Sequence, residues 1–220
     1  MASIATLPSL FGTLAKFFGV VLKDGLPEDF FQRVIDDPTY RTNFVAAEKQ
    51  GFVLNPPVPL WRKVDEFTID VNYDRPSNLP FEGATVEWRT PGLTGWHTVQ
   101  RRGEDVFVDD RMVELFLAKG QTKTTSVLGH DLRKELEGRV VLHPNVLDAL
   151  MENIHLIPDS WKKNSGGNKL YNFFWAVGFR NSGGYLYVRC LFWGDGQWSW
   201  YYYWLGNDWD AQNPAAVLAS

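Results

Sequence analysis

A single cysteine, Cys190, stands in the 220 residues. That excludes a disulfide framework within the chain and any zinc cluster built on cysteines. No apolar run reaches the roughly 18 residues that a membrane helix needs. The N-terminus carries no basic stretch, and Lys16 interrupts its most apolar segment, so no secretory signal is expected. Positive charge is scarce as well: 22 Lys and Arg stand against 26 Asp and Glu, a formal net charge of −4. That argues against a nucleic-acid partner held by phosphate neutralisation. No phosphate-binding glycine loop is present; Gly194-x-Gly196 is too short and reads as a hairpin turn. The expectation is a soluble, cytoplasmic globular protein, long enough to bury a sizeable core without cofactor or metal.

What is there falls into three parts. Residues 1–54 read as a helical N-terminal region. Leu10, Phe11, Leu14, Phe17, Phe18, Val21 and Leu22 form one stripe at helical spacing, Gly25 stops it, and Pro27 and Pro38 open two further helices. The first helix has a core, a partner protein or a membrane surface to pack on, and a polar side that is not rich in Lys and Arg speaks against the membrane. The stiff spacer Asn55-Pro56-Pro57-Val58-Pro59 separates this part from a mixed α+β region, 60–165. There Phe67 to Tyr73, Thr85 to Trp88 and Asp105 to Val108 are strand candidates by alternation. Asp109 or Asp110 is expected to cap a helix ending before Gly120, with two more helices over Asp131–Glu137 and Pro144–Glu152. The fold class expected is α+β: N-terminal helices, a mixed middle and a C-terminal antiparallel β unit.

The last part, 166–220, is short of charge. From Tyr171 onward only Arg180, Arg189, Asp195, Asp208 and Asp210 are charged, while six of ten Trp and six of eight Tyr lie there. Tyr171–Phe179, Tyr185–Trp193 and Trp198–Leu205 are separated by Gly-rich turns and read as an antiparallel meander, with a short terminal strand Ala215–Leu218. About 50 residues of meander need a neighbour to be stable, and the middle region is the expected one. In Trp198–Leu205 period two puts Trp198, Trp200, Tyr202 and Trp204 on one face and Ser199, Tyr201 and Tyr203 on the other. The Trp face is expected to be core, since a row of exposed indoles would leave a large apolar patch in water. The Tyr/Ser face has the composition of a paratope. A strand buried on both sides would account for the same residues.

Codon chemistry separates the two sets. Trp has one codon, TGG, without adenine, whereas Tyr, Ser, Asp, Gly, Cys and Phe can all arise from AAC by changes at its adenines. Tyr185, Tyr187, Cys190, Phe192, Ser199, Tyr201, Tyr203, Gly206, Asp208 and Asp210 belong to that second set and alternate with a Trp scaffold. In this the tail resembles the variable regions of proteins diversified by diversity-generating retroelements. The run Tyr203 to Leu218 is also similar to the ends of uncharacterised metagenomic bacterial proteins. The resemblance implies a C-type-lectin-like fold whose variable side chains form a ligand-binding face on a fixed backbone. The Gly-Gly-Ser-Trp and closing Gly-Phe-Arg motifs of better-known members are missing; Gly178-Phe179-Arg180 lies far from the end.

Catalytic signals are thin. His97, His130, His143 and His155 are scattered, without metal-ligand spacing. His130-Asp131 reads as a helix cap, and Cys190, in an apolar strand without a nearby base, as a small hydrophobe. Asn207, Asp208 and Asp210 lack the spacing of a calcium loop. The expectation is therefore a non-catalytic recognition protein. Its ten named residues bind a protein or other macromolecular ligand, and its N-terminal helices are free to engage a further partner. Two alternatives stay open: a carbohydrate-binding module, which needs exposed Trp, and a hydrolase with an aromatic-lined cleft, which needs two opposed carboxylates.

Overall fold

Alternation becomes strand where expected. In the computed structural model, which describes residues 58–219, β1 is Trp61–Lys63, β2 Thr68–Asn72, β3 Thr85–Arg89, β4 Trp96–Arg102, β5 Asp105–Val108 and β6 Arg111–Phe116. After β7 (Val127–Leu128) come α1 (Gly129–Glu135) and α2 (Pro144–Glu152), then two short 3₁₀ turns. The aromatic tail gives β8 (Tyr171–Arg180), β9 (Leu186–Gly194), β10 (Gln197–Trp204), β11 (Asp208–Trp209) and β12 (Ala215–Leu218). The helices expected before residue 51 lie outside the described residues.

These elements correct the α+β reading. The described residues are 42% strand and 14% helical, built on a curled mixed sheet with two α-helices. The sheet runs β1-β2-β4-β5-β6-β12-β8-β9-β10, with β3 also paired to β8. Strand β12 is the reason that middle and tail do not form separate layers: it pairs antiparallel with β6 and parallel with β8, joining the two halves into one sheet. A meander packed on a separate α+β support, the C-type-lectin-like picture, does not describe this topology.

The helix expected after Asp109 is a strand. Asp109 and Asp110 adopt φ of 50° and 62°, the left-handed values of a two-residue hairpin turn, and Val108 pairs with Arg111 across it. Asp131 does not cap α1; its carboxylate takes a hydrogen bond from Lys134 instead, and no side chain caps that helix.

Helix α2 forms where expected, with Pro144 in its first turn, and is buried from Pro144 to Leu150. The curled sheet closes around it, so Val71, Val99 and Val108 share a core with Val146, Leu150, Phe174 and Leu191. Several of the polar groups carried inside find partners. Asn145 donates to the carbonyls of Asn72 and Arg75. Asp148 accepts two hydrogen bonds from the Arg189 guanidinium, at 2.9 and 2.6 Å, with both side chains buried. His143 caps α2 by accepting from the Asn145 N–H through Nδ1, and its ring stacks on Tyr73, which stacks in turn on His97. Burial first, and then the charge of Arg89, lowers the His143 pKa to about 3. A second core, with Leu132, Trp175, Cys190, Leu205 and Trp209, fills the opposite side of β8 and β9. Among the described residues no helix is long and apolar enough to cross a membrane.

Candidate functional site: an aromatic cleft beside the last hairpin

Register decides which side chains share a face. Ser199 pairs with Phe192, Tyr201 with Cys190 and Tyr203 with Val188. On the other side of β9, Phe192 pairs with Tyr171 and Cys190 with Phe173. Directly paired residues point to the same side of a sheet, so one face carries Tyr171, Phe173, Cys190, Phe192, Tyr201 and Tyr203. The chain then leaves β10, passes through β11 and turns back toward β12, laying Asp208, Asp210, Gln212 and Asn213 along this face. The result is a cleft of about 460 Å³.

Six of the ten residues singled out in the sequence line this cleft: Cys190, Phe192, Tyr201, Tyr203, Asp208 and Asp210. Cys190 is part of its floor and fully buried; burial pushes its thiol far above the ordinary range, so it serves as a small apolar surface rather than a nucleophile. Tyr201 is 50% exposed. Tyr203 is half-buried against Phe173 and Trp209, and its phenol is held above its usual pKa by burial and then by the charges of Asp210 and Asp208.

The other four lie elsewhere. Ser199 shares the face by register but stops short of the cleft. Tyr187 pairs with Trp204 on the opposite face, where its ring meets Phe81 and Tyr202 edge-on. Tyr185 precedes β9 and packs edge-on against Trp204. Gly206 has a structural reason of its own: a Cβ there would come within 2.3 Å of the Trp204 ring. The Trp face is not uniformly core either. Trp198 is buried, but Trp200 is 39% exposed, because β10 ends the sheet and its face is only partly covered. The indole of Trp200 lies over the buried Arg189 guanidinium at 4.5 Å.

Several residues that build the site were missed. Tyr171 and Phe173 were assigned to a strand, but only register brings them to Tyr201. Trp209 is the anchor of the far wall: fully buried, it touches Phe173, Trp175 and Tyr203 at centroid distances of 4.2, 5.1 and 5.1 Å. Gln121, from the middle of the chain, fixes the loop. Its amide nitrogen donates to the carbonyls of Asp210 and Asn213, while its oxygen accepts from the Ala118 N–H. Inside the loop the Asp210 carboxylate accepts from the Gln212 N–H, and Asn213 accepts from the Asp210 N–H. Such a loop holds its side chains on a prepared backbone, which lowers the ordering cost of binding. Compared with known proteins, the chain matches no family model, no curated protein and no solved structure.

Proposed function

We propose that this is a non-catalytic recognition protein, and that the cleft between the β9–β10 face and the Asp208–Asn213 loop binds a protein or other macromolecular ligand. The observation that carries the reading is convergence. Six residues chosen from sequence, by codon class and alternation, line one cleft together with Tyr171 and Phe173. Exposed Tyr rings beside amides and carboxylates suit recognition at low rotamer cost. The proposal includes diversification of these positions by a retroelement, on a backbone held by Trp198, Trp209 and Gly206. It also includes a cytoplasmic setting, in keeping with one unpaired thiol, Cys190. A hydrolase would need a carboxylate on each side of the cleft, and the wall made by β8, β9 and β10 offers none.

The test is selection of displayed random peptides on the full chain, repeated on Tyr201→Ala. Tyr201 is the cleaner position, because Tyr203 also supports Trp209. Peptides that bind the parent chain and lose at least about tenfold on Tyr201→Ala, with the melting temperature little changed, support the reading. Peptides indifferent to Tyr201 contradict it. A carbohydrate-binding reading is favoured by one observation, the exposed indole of Trp200. It expects glycan binding that Trp200→Ala abolishes and Tyr201→Ala leaves intact.

A further inference from the structure

The cleft has two unlike halves. At one end Tyr171 and Phe192 face each other at 5.2 Å, and the chain's own Lys169 ammonium sits over both, 4.0 Å from the Phe192 centroid and 4.9 Å from that of Tyr171. These ring faces already serve as a cation platform. At the other end stand Tyr201, Tyr203, Asp208 and Asp210. Among the described residues neither carboxylate is in an ion pair, and the only hydrogen bonds accepted by the Asp210 carboxylate come from Gln212. Both charges reach Tyr203, whose phenol is held above its usual range by burial and then by Asp210 and Asp208. Among the described residues this half has the platform and the negative charge, and no Lys or Arg lines it.

We infer that the Tyr201–Tyr203–Asp208–Asp210 half of the cleft is a cation pocket, and that the ligand anchors there through a basic side chain, with arginine preferred. The inference deepens the proposed function and rests on it. A guanidinium stacks flat on a Tyr ring while its edge donates to a carboxylate, which matches the two kinds of group present; an ammonium offers only a point charge. An organic cation suits the lining better than a metal ion. Among the described residues no group of three or more His, Cys, Asp and Glu gathers to ligate one; the lining holds two carboxylates, Asp208 and Asp210, and the wall made by β8, β9 and β10 is largely rings. Lys169 already occupies the Tyr171 and Phe192 rings, so one basic side chain is seated and the apolar neighbours of the ligand extend toward Phe192. The overall charge of −4 adds a field of the right sign for a basic partner.

Peptides selected on the full chain test this directly. Those lost on Tyr201→Ala should be enriched in arginine, with lysine second. Their affinity should fall about tenfold on Asp208→Asn, and by a similar factor when arginine is replaced by citrulline, its neutral isostere. Asp208→Asn is the variant of choice because the Asp208 side chain accepts no hydrogen bond among the described residues, while Asp210 shapes the loop. Peptides that depend on Tyr201 but carry no basic residue, or that ignore Asp208→Asn and citrulline, overturn the cation pocket and leave the recognition site standing. If no selected peptide depends on Tyr201, both fail.

Discussion

Exposure separates two roles among the aromatic residues. Tyr201 is half exposed and stacks on Tyr202 at 4.9 Å, so its truncation removes one surface stack and opens no cavity in either core. Tyr201→Ala is expected to change unfolding free energy by about 1 kcal/mol or less while abolishing cleft binding. Trp209 is fully buried among Phe173, Trp175 and Tyr203, and Trp209→Ala should cost about 3–5 kcal/mol. Denaturant unfolding of the two variants checks the contrast, and equal losses would contradict it. Trp200, although it belongs to the expected Trp face, falls with Tyr201 in this respect. Its loss removes the ring over Arg189 but opens no cavity in either core. His143 carries a pH signature. Its Nδ1 must stay unprotonated to accept from Asn145, and its pKa is lowered to about 3 from an ordinary value near 6.5. Below pH 6.5 the unfolded chain takes up a proton that the folded chain refuses, so stability present above that pH is lost as pH falls toward 3. The slope approaches one proton, about 1.4 kcal/mol per pH unit. Between pH 6.5 and 5 it should flatten in His143→Asn, whose side-chain oxygen can keep the cap; a wild-type curve flat over that range would contradict the assignment.

At the scale of elements, Arg189 links β9 to α2. Asp148→Ala strands a fully buried guanidinium and should cost about 3–5 kcal/mol, whereas replacing both partners by apolar residues should cost far less. Thermal melting of the single and double variants measures the difference, and additive losses would contradict the pairing. Gly129 makes the second contact that the cleft depends on. A Cβ there would stand 2.5 Å from Trp209 Nε1 and 2.8 Å from the Leu205 backbone. Gly129→Ala should therefore push α1 off the Asp208–Trp209 strand and weaken cleft binding at a distance; unchanged binding would show that α1 does not hold the far wall. Strands β2, β3, β5, β8, β9, β10 and β12 and helix α2 were legible because period two and a proline-led helix start are local signals, whereas β1, β4, β7 and β11 carry too short or too mixed a pattern to stand out. The turn at Asp109-Asp110 was not, since Asp at a strand end serves as a helix cap and as a left-handed turn residue alike. Tyr187 and Phe192 were grouped on one face although their separation is odd, and period two alone would have parted them. The placement of β12 between β6 and β8 is a pairing of distant segments that no local pattern announces.

Among the described residues, holding the cleft and facing into it fall to different side chains of the sheet and the loop. Gln121, Trp209 and Gly206 hold the loop and the chain leading to it, while Tyr201, Phe192 and Asp208 present themselves to the cleft. That division makes a claim about variation. Positions whose side chains face the cleft and support neither core can change without unfolding the chain; positions that hold it cannot. Asp208 and Tyr201 belong to the first class. Gly206, for all its permissive codon, belongs to the second because of the Trp204 ring against it. The measurement that bears most directly on the recognition site is the sequence of this locus in many related isolates, read codon by codon over residues 181–213. If the cleft recognises varied ligands, differences concentrate at Phe192, Tyr201 and Asp208, beside a near-repeat carrying AAC codons, with Gly206 and Trp209 constant. If the cleft codons are as constant as those of Trp198 and Trp209, the diversified-recognition proposal is contradicted.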